Sequence, residues 1–399
     1  MNKVLAYSVL LIAGLAGSQI VPPLLGDLWP AAALFIRLAT MVTLAFIMIH
    51  VGYEFEIDLS RPRALAYDYG VAATAAAFPW IFVSLYFVLV LAPEGSWHGV
   101  AGWKSALLAG RFAAPTSAGL LFAMLAAAGL STTWVFRKAR VLAIFDDLDT
   151  VLLMIPLKML IVGLRWQMAV IVAIMGGQLW IAWKLFRRLR WSVRWPAVMT
   201  YSAVIVGVSE AIYQGSKLVD DVVPIHIEVL LPAFVLGCLL ARPRGADPHR
   251  DDARDDHQEG PEDPAEQKVS GIVSGVFMVL VGLSMPALAS IMSSDAPGWG
   301  SIAVHVVIVT VLANLGKMFP IFVYRGEASW RERMAIGIGM WPRGEVGAGV
   351  LILSLGYGIG GPIIVVAALS LALNLVLTGV FIAMVKRLLR VQKIPQPGG

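Results

Sequence analysis

Long apolar runs decide what this chain can fold into. They recur from Lys3 to Lys386, most of them with few or no charges, and a helix needs roughly 20 apolar residues to cross the hydrocarbon core of a bilayer. Apolar residues make up 58% of the 399 positions and charged ones 14%, more apolar surface than one water-soluble core can hide. In lipid, only helices and closed barrels satisfy every backbone polar group, and the short alternating segments of a barrel are missing. The fold expected is an all-α polytopic membrane protein.

Twelve helices are predicted, at 4–22, 32–52, 66–92, 103–130, 140–163, 166–187, 195–215, 224–241, 269–292, 301–324, 332–355 and 361–388. Every second connection is basic: Arg61 and Arg63; Arg137, Lys138 and Arg140; Lys184, Arg187, Arg188, Arg190 and Arg194; Arg325, Arg331 and Arg333. The tail, with Lys386, Arg387, Arg390 and Lys393, belongs to the same set, while the other side offers little beyond Lys104, Arg165 and Lys217. Excess Lys and Arg marks the cytoplasmic face, so both termini are expected there. The basic pI near 9.3 is then a topology signal, not a nucleic-acid surface. The stretch from Lys3 to Gln19 has the look of a signal peptide, but the run continues to Leu25 and the charge alternation needs a first spanning helix. Residues 242–268 pack nine acids, from Asp247 to Glu266, among Pro and Gly; they read as a solvated cytoplasmic linker, with cation or pH sensing as the rival reading. Cys238 is the one cysteine, which excludes an intramolecular disulfide and a Cys/His metal motif.

With the loops assigned, ionisable groups remain at membrane depth: Arg37, Arg111, Asp146, Asp147, Asp149, Lys158, Glu210, Glu228, Lys317, Arg343 and Glu345. Each costs on the order of 2.5–3.5 kcal/mol at a helix centre, and such groups normally face a bundle interior, pair, and mark ion or proton paths. The densest cluster is FDDLD in the fifth helix. Asp146 and Asp147 diverge by about 100° around the axis, and Asp149 shares the face of Asp146. Desolvation and mutual repulsion favour the protonated carboxyl, so these acids either hold protons near neutral pH or hold a cation. The bland alternative is packing by salt bridges. Lys317 sits among apolar residues in the tenth helix and needs a carboxylate partner, most simply the aspartate pair; snorkelling to the interface is its other reading, and the one preferred for Lys158.

Two helices carry interrupting sequences. The fourth contains AGRFAAPTSAG, with Pro115, Thr116 and Ser117; the eleventh contains GIGMWPRGEVGAG, with Pro342, Arg343, Gly344 and Glu345. Proline removes a helix hydrogen bond and glycine loosens the backbone, so both are expected to break at depth. Freed carbonyls and the Thr116 and Ser117 hydroxyls are hard oxygen ligands suited to an alkali cation. A pair of broken helices in corresponding halves points to an inverted-repeat transporter site.

These residues resemble the bacterial sodium/proton antiporters of the monovalent cation:proton antiporter superfamily, NhaA-like in fold. The resemblance spans nearly the whole chain, through GYEFEID, APTSAGLLFAML, FDD, PIHIEVLLPAFVLGCLLA, VFMVLVGLSM, LGKMFP and GMWPRGEVGAGV. It implies panel or dimer-domain helices in 1–65 and core repeats in 66–163 and 301–390. Between these would lie helices six to eight in 164–241, the linker in 242–268 and helix nine in 269–300, with a cytoplasmic tail at 391–399. It maps the cation-binding aspartate onto Asp147, its partner onto Asp146, the paired lysine onto Lys317 and the unwound positions onto Thr116 and Ser117. Arg343 and Glu345 match the family's charged pair, with a structural or pH-related role; homodimerisation also carries over. Asp149, Arg111, His226 and Glu228 depart from the pattern. A fixed Arg111 charge is expected to offset Asp149 or Glu345 and to bear on how many protons exchange per cation.

The resulting expectation is electrogenic exchange of Na+ or Li+ for protons across the bacterial inner membrane, with membrane lipid as surroundings and no cofactor beyond the transported ions. A K+/H+ antiporter on the same scaffold and a non-transporting channel-like or sensor subunit are the alternatives. No nucleophile–base pair or His-rich motif suggests an enzyme, since the six histidines are scattered.

Overall fold

A computed structural model describes residues 2–54, 62–93, 95–163, 165–219, 225, 227, 229–241, 264–287 and 298–390. The acidic stretch 242–263, His226, Glu228 and the 391–399 tail lie outside the described residues, as do the side chains of Lys158 and Glu345. The helices are α1 (Asn2–Leu25), α2 (Trp29–Glu54), α3 (Pro62–Tyr86), α4 (Val100–Gly110), α5 (Ala118–Ala127), α6 (Trp134–Val162), α7 (Trp166–Lys184), α8 (Trp195–Lys217), α9 (Leu230–Leu239), α10 (Pro264–Leu283), α11 (Trp299–Gly316), α12 (Pro320–Val323), α13 (Trp330–Gly339), α14 (Glu345–Gly356) and α15 (Pro362–Arg390). Among the described residues the one extended pairing is an isolated parallel bridge between Leu189 and Leu240.

Among the described residues eight stretches are long and apolar enough to cross a membrane, and one of them, Lys3–Tyr53, holds both α1 and α2. The remaining spans fall short for identifiable reasons. The acids and bases of α6 lower its hydropathy, α9 is short, and the eleventh span is cut into α13 and α14. Adding them gives the twelve spans expected from the sequence. The fourth is likewise cut, into α4 and α5.

Both cuts follow from local chemistry. After α4 a 3-10 turn (Arg111–Ala113) leads to Pro115, and Ser117 turns extended (φ −71°, ψ 99°) and caps α5, its hydroxyl accepting from the Leu120 N–H. Between α13 and α14, Pro342 and a non-helical Gly344 (φ −157°, ψ −124°) carry the chain across. The two irregular segments complete each other: the Ser117 N–H donates to Pro342 O at 3.0 Å and the Thr116 hydroxyl to Met340 O at 3.0 Å. Backbone broken at membrane depth is tolerated only where protein shields it from lipid. Accordingly 94% of the most apolar window of Val100–Ala127 is buried, against 17% for Trp166–Leu185.

The described chain forms two compact units. The first comprises residues 1–34, 59–161 and 278–399. In it α11 lies along α3 and α15, and α13 packs on α15. Where α11 meets α3, Gly316 lies so near Pro79 that a Cβ would stand 2.4 Å from its nitrogen. The second comprises residues 35–58 and 162–277, with α7 and α8 against α9. There Arg37 donates to both oxygens of Glu210 at 2.8 Å, pairing two of the membrane-depth charges.

Because Gly316 directly precedes Lys317, its contact fixes where that lysine leaves α11. Gly316→Ala is expected to destabilise the protein by about 1–3 kcal/mol, the range for overpacking, read as a lower midpoint of thermal unfolding in detergent.

Candidate ion-binding site

The site is built on α6, where an apolar helix delivers three carboxyls to the interior of the first unit. Asp146 is fully buried, Asp147 is 6% exposed and Asp149 3%. One oxygen of Asp146, Oδ2, takes two strong donors: Lys317 Nζ at 2.7 Å and the Thr116 N–H at 2.7 Å. Both side chains of this ion pair are 0% exposed, so Lys317 does not snorkel. Asp146 Oδ1 has no hydrogen-bond partner among the described residues. The Thr150 hydroxyl donates to the Asp146 carbonyl at 2.8 Å, steadying this turn of α6.

The elements explain how these groups meet. Thr116 can offer its N–H because the break between α4 and α5 leaves it outside the helix ladder. Lys317 is the residue that closes α11, so its amine emerges from a helix end rather than a helix flank. Asp147, the next residue round α6, remains beside the pair with its own carboxyl buried.

Arg343 was expected from the resemblance to compensate charge or serve structure. Its contacts are with neutral groups: Nε donates to Ala113 O (2.9 Å), Nη2 to Ala313 O (2.8 Å), and Nη1 to Trp341 O (3.1 Å) and Asn314 Oδ1 (2.6 Å). It thus ties the end of α11 to both helix breaks. Asn374 on α15 extends the network, donating to Asn314 Oδ1 at 2.9 Å. Arg111, also fully buried, donates from Nη2 to the Asp149 carbonyl at 3.0 Å and stacks over Trp80 with 4.9 Å to the ring centroid. Asp149 Oδ1 accepts from the Tyr69 hydroxyl at 2.7 Å.

The geometry brings together Asp146, Asp147, Thr116, Ser117, Lys317 and Arg343, with Asp149 one turn further along α6 and Arg111, from the turn after α4, bonded to its carbonyl. Glu228 lies outside the described residues, and the Glu345 side chain does too. Sequence reasoning passed over Tyr69, Trp80, Asn314, Asn374 and Thr150. Lone asparagines inside the apolar runs VLANLGK and LALNLVL were the available signal for two of them. It also passed over a second cluster, in which Lys138 bridges Asp68 (3.0 Å) and Glu327 (3.1 Å) and the Tyr324 hydroxyl donates to Asp68 at 2.8 Å.

The family described as sodium/hydrogen exchanger, transmembrane, matches residues 3–386. The chain belongs to that exchanger family. It is a membrane transporter, not an enzyme. Two solved structures of the sodium proton antiporter MjNhaP1 from Methanocaldococcus jannaschii share its fold. One, at pH 8, superposes with a TM-score of 0.56 at 16% identity, covering 94% of this chain and 92% of that one. The other, an electron-microscopy map, gives 0.59 at 15% identity over 97% and 92%. No curated protein matches by sequence.

Arg343 donates four hydrogen bonds, three of them to buried oxygens, and leaving such groups unsatisfied costs about 1–3 kcal/mol each. Arg343→Gln is therefore expected to lower thermal stability in detergent more than Arg343→Lys, and neither variant is expected to reach wild-type stability.

Proposed function

We propose that this exchanger-family protein trades Na+ (or Li+) for protons by alternating access, electrogenically, at Asp146 and Asp147. The observation that carries the proposal is the fully buried Asp146–Lys317 pair at the crossing of two broken helices, with Asp147 beside it. Carboxyls in that setting must be neutralised by a proton, an ammonium or a cation. An arriving cation competes with Lys317 for Asp146 and with protons for Asp147, so loading one ligand discharges the other. Thr116 and Ser117, held open by the helix breaks, supply further hard oxygens.

In this reading α3–α6 and α11–α15 form the transporting core, and the remaining helices make a panel through which two copies associate. The setting is a bacterial inner membrane with both termini cytoplasmic. Support comes from the family match, from the MjNhaP1 likeness in fold and from the basic connections on alternate sides.

In proteoliposomes carrying an imposed pH gradient, addition of Na+ or Li+ is expected to dissipate the gradient. Asp147→Asn is expected to abolish that response, and wild-type exchange by this variant refutes the site. A cation series in the same assay identifies K+ as cargo if K+ alone is active. Because protons and cation compete, lower pH weakens cation binding: the apparent KM for Na+ is expected to rise by up to about tenfold per pH unit per competing proton. A KM independent of pH removes the competition on which the mechanism stands.

A further inference from the structure

Three carboxyls within four residues make an unusual receptor for a singly charged ion, because ligand charge count is what draws divalent cations into oxygen sites. The structure places a counterweight there. Arg111 is 0% exposed, and its guanidinium stays charged under all ordinary conditions. Gly110 seats its turn closely against α3, since a Cβ there would stand 2.4 Å from Ser84 Oγ. Trp80 covers the guanidinium face, and Nη2 is fixed on the Asp149 carbonyl at 3.0 Å. The other nitrogens, Nε and Nη1, have no hydrogen-bond partner among the described residues, and neither does Asp149 Oδ2. A permanent positive charge is thus held among the aspartates without being consumed in a contact ion pair.

We propose that Arg111 sets the valence of the ion this aspartate cluster accepts, its fixed charge beside Asp149 excluding divalent cations. The inference rests on the cation site proposed above. A divalent ion feels twice the repulsion that a monovalent one feels from the same fixed charge, so one arginine discriminates between them without touching either. Lys317 cannot do this alone, because it is bonded directly to Asp146 and is displaced when the cargo arrives. Arg343 also carries a fixed charge, but its hydrogen bonds tie it to the helix breaks and the end of α11 rather than to Asp149. Arg111 is the specificity-determining residue, acting through charge and not through coordination.

The test is isothermal titration of the full-length protein in detergent with NaCl, LiCl, KCl, MgCl2 and CaCl2, choline chloride serving as control. Wild type is expected to bind a monovalent ion and to bind Mg2+ and Ca2+ poorly. Arg111→Gln is expected to shift the divalent-to-monovalent affinity ratio upward by roughly tenfold or more, the order that one unit charge carries at this range with an effective dielectric near 20. Arg111→Lys, which keeps the charge and loses the planar stack on Trp80, is expected to retain wild-type discrimination. The double variant Arg111→Gln with Asp149→Asn restores the net charge and is expected to restore it as well, and it relieves the unbalanced charge if the single variant does not fold. An unchanged ratio in Arg111→Gln overturns the proposal. So does an Arg111→Lys protein that takes up divalents, or a double variant that still does. A wild type that binds none of the monovalent ions overturns the antiport reading itself, and this inference with it.

Discussion

A buried ion pair, Asp146 with Lys317, is the interaction on which the rest of the structure depends. Each partner alone is untenable at membrane depth, and removing one from such a pair costs about 3–5 kcal/mol because the other is left charged and unsolvated. The surrounding architecture exists to make the pair possible. The Thr116 N–H that shares Asp146 Oδ2 is free only because α4 and α5 are separate helices. Lys317 reaches the carboxylate only because α11 ends there, pressed onto Pro79 through Gly316. The pair is also unfinished: Asp146 Oδ1 has no partner among the described residues. An interaction that is strong yet incomplete leaves one buried carboxylate oxygen available to the cation proposed above.

Burial on this scale explains why the polar network is so much larger than the pair. The two helix breaks expose carbonyls that lipid cannot solvate, and Arg343 answers two of them, at Ala113 and Trp341, together with the Ala313 carbonyl near the end of α11. Its rigid fork of donors suits that duty, which a single ammonium could not perform. Charge and hydrogen bonding are therefore divided among three buried cations. Lys317 pairs with a carboxylate, Arg343 satisfies backbone, and Arg111 supplies charge near Asp149 while its ring partner Trp80 shields it.

Much of this architecture was legible in the sequence, because the membrane imposes costs that leave marks. Apolar runs located the spans, and Pro115 and Pro342 with their glycines located both breaks. The aspartates and Lys317 stood out because ionised groups are rare in such runs. Pairing between distant helices was not legible. Which aspartate Lys317 would choose depends on the register of α11 against α6, and an apolar helix carries no strong signal of register. Tyr69 looked like any interfacial aromatic, and the Arg343 contacts arise from carbonyls, which no side-chain pattern announces. The Asp68–Lys138–Tyr324 cluster was hidden for a related reason: its members sit in segments already assigned to topology, where a basic residue attracts no second question.

The mutual bonding of the two broken segments constrains motion as well as stability. Ser117 donates to Pro342, Thr116 to Met340, and Arg343 reaches from one break to the other and on to α11. Sliding either segment past its neighbour would strip these bonds in a medium with nothing to replace them. The crossing therefore behaves as a welded joint, with both broken rods and the lysine-bearing helix turning together. In the alternating access proposed above, exposure to one side or the other would change at the rim of that joint, leaving its centre intact.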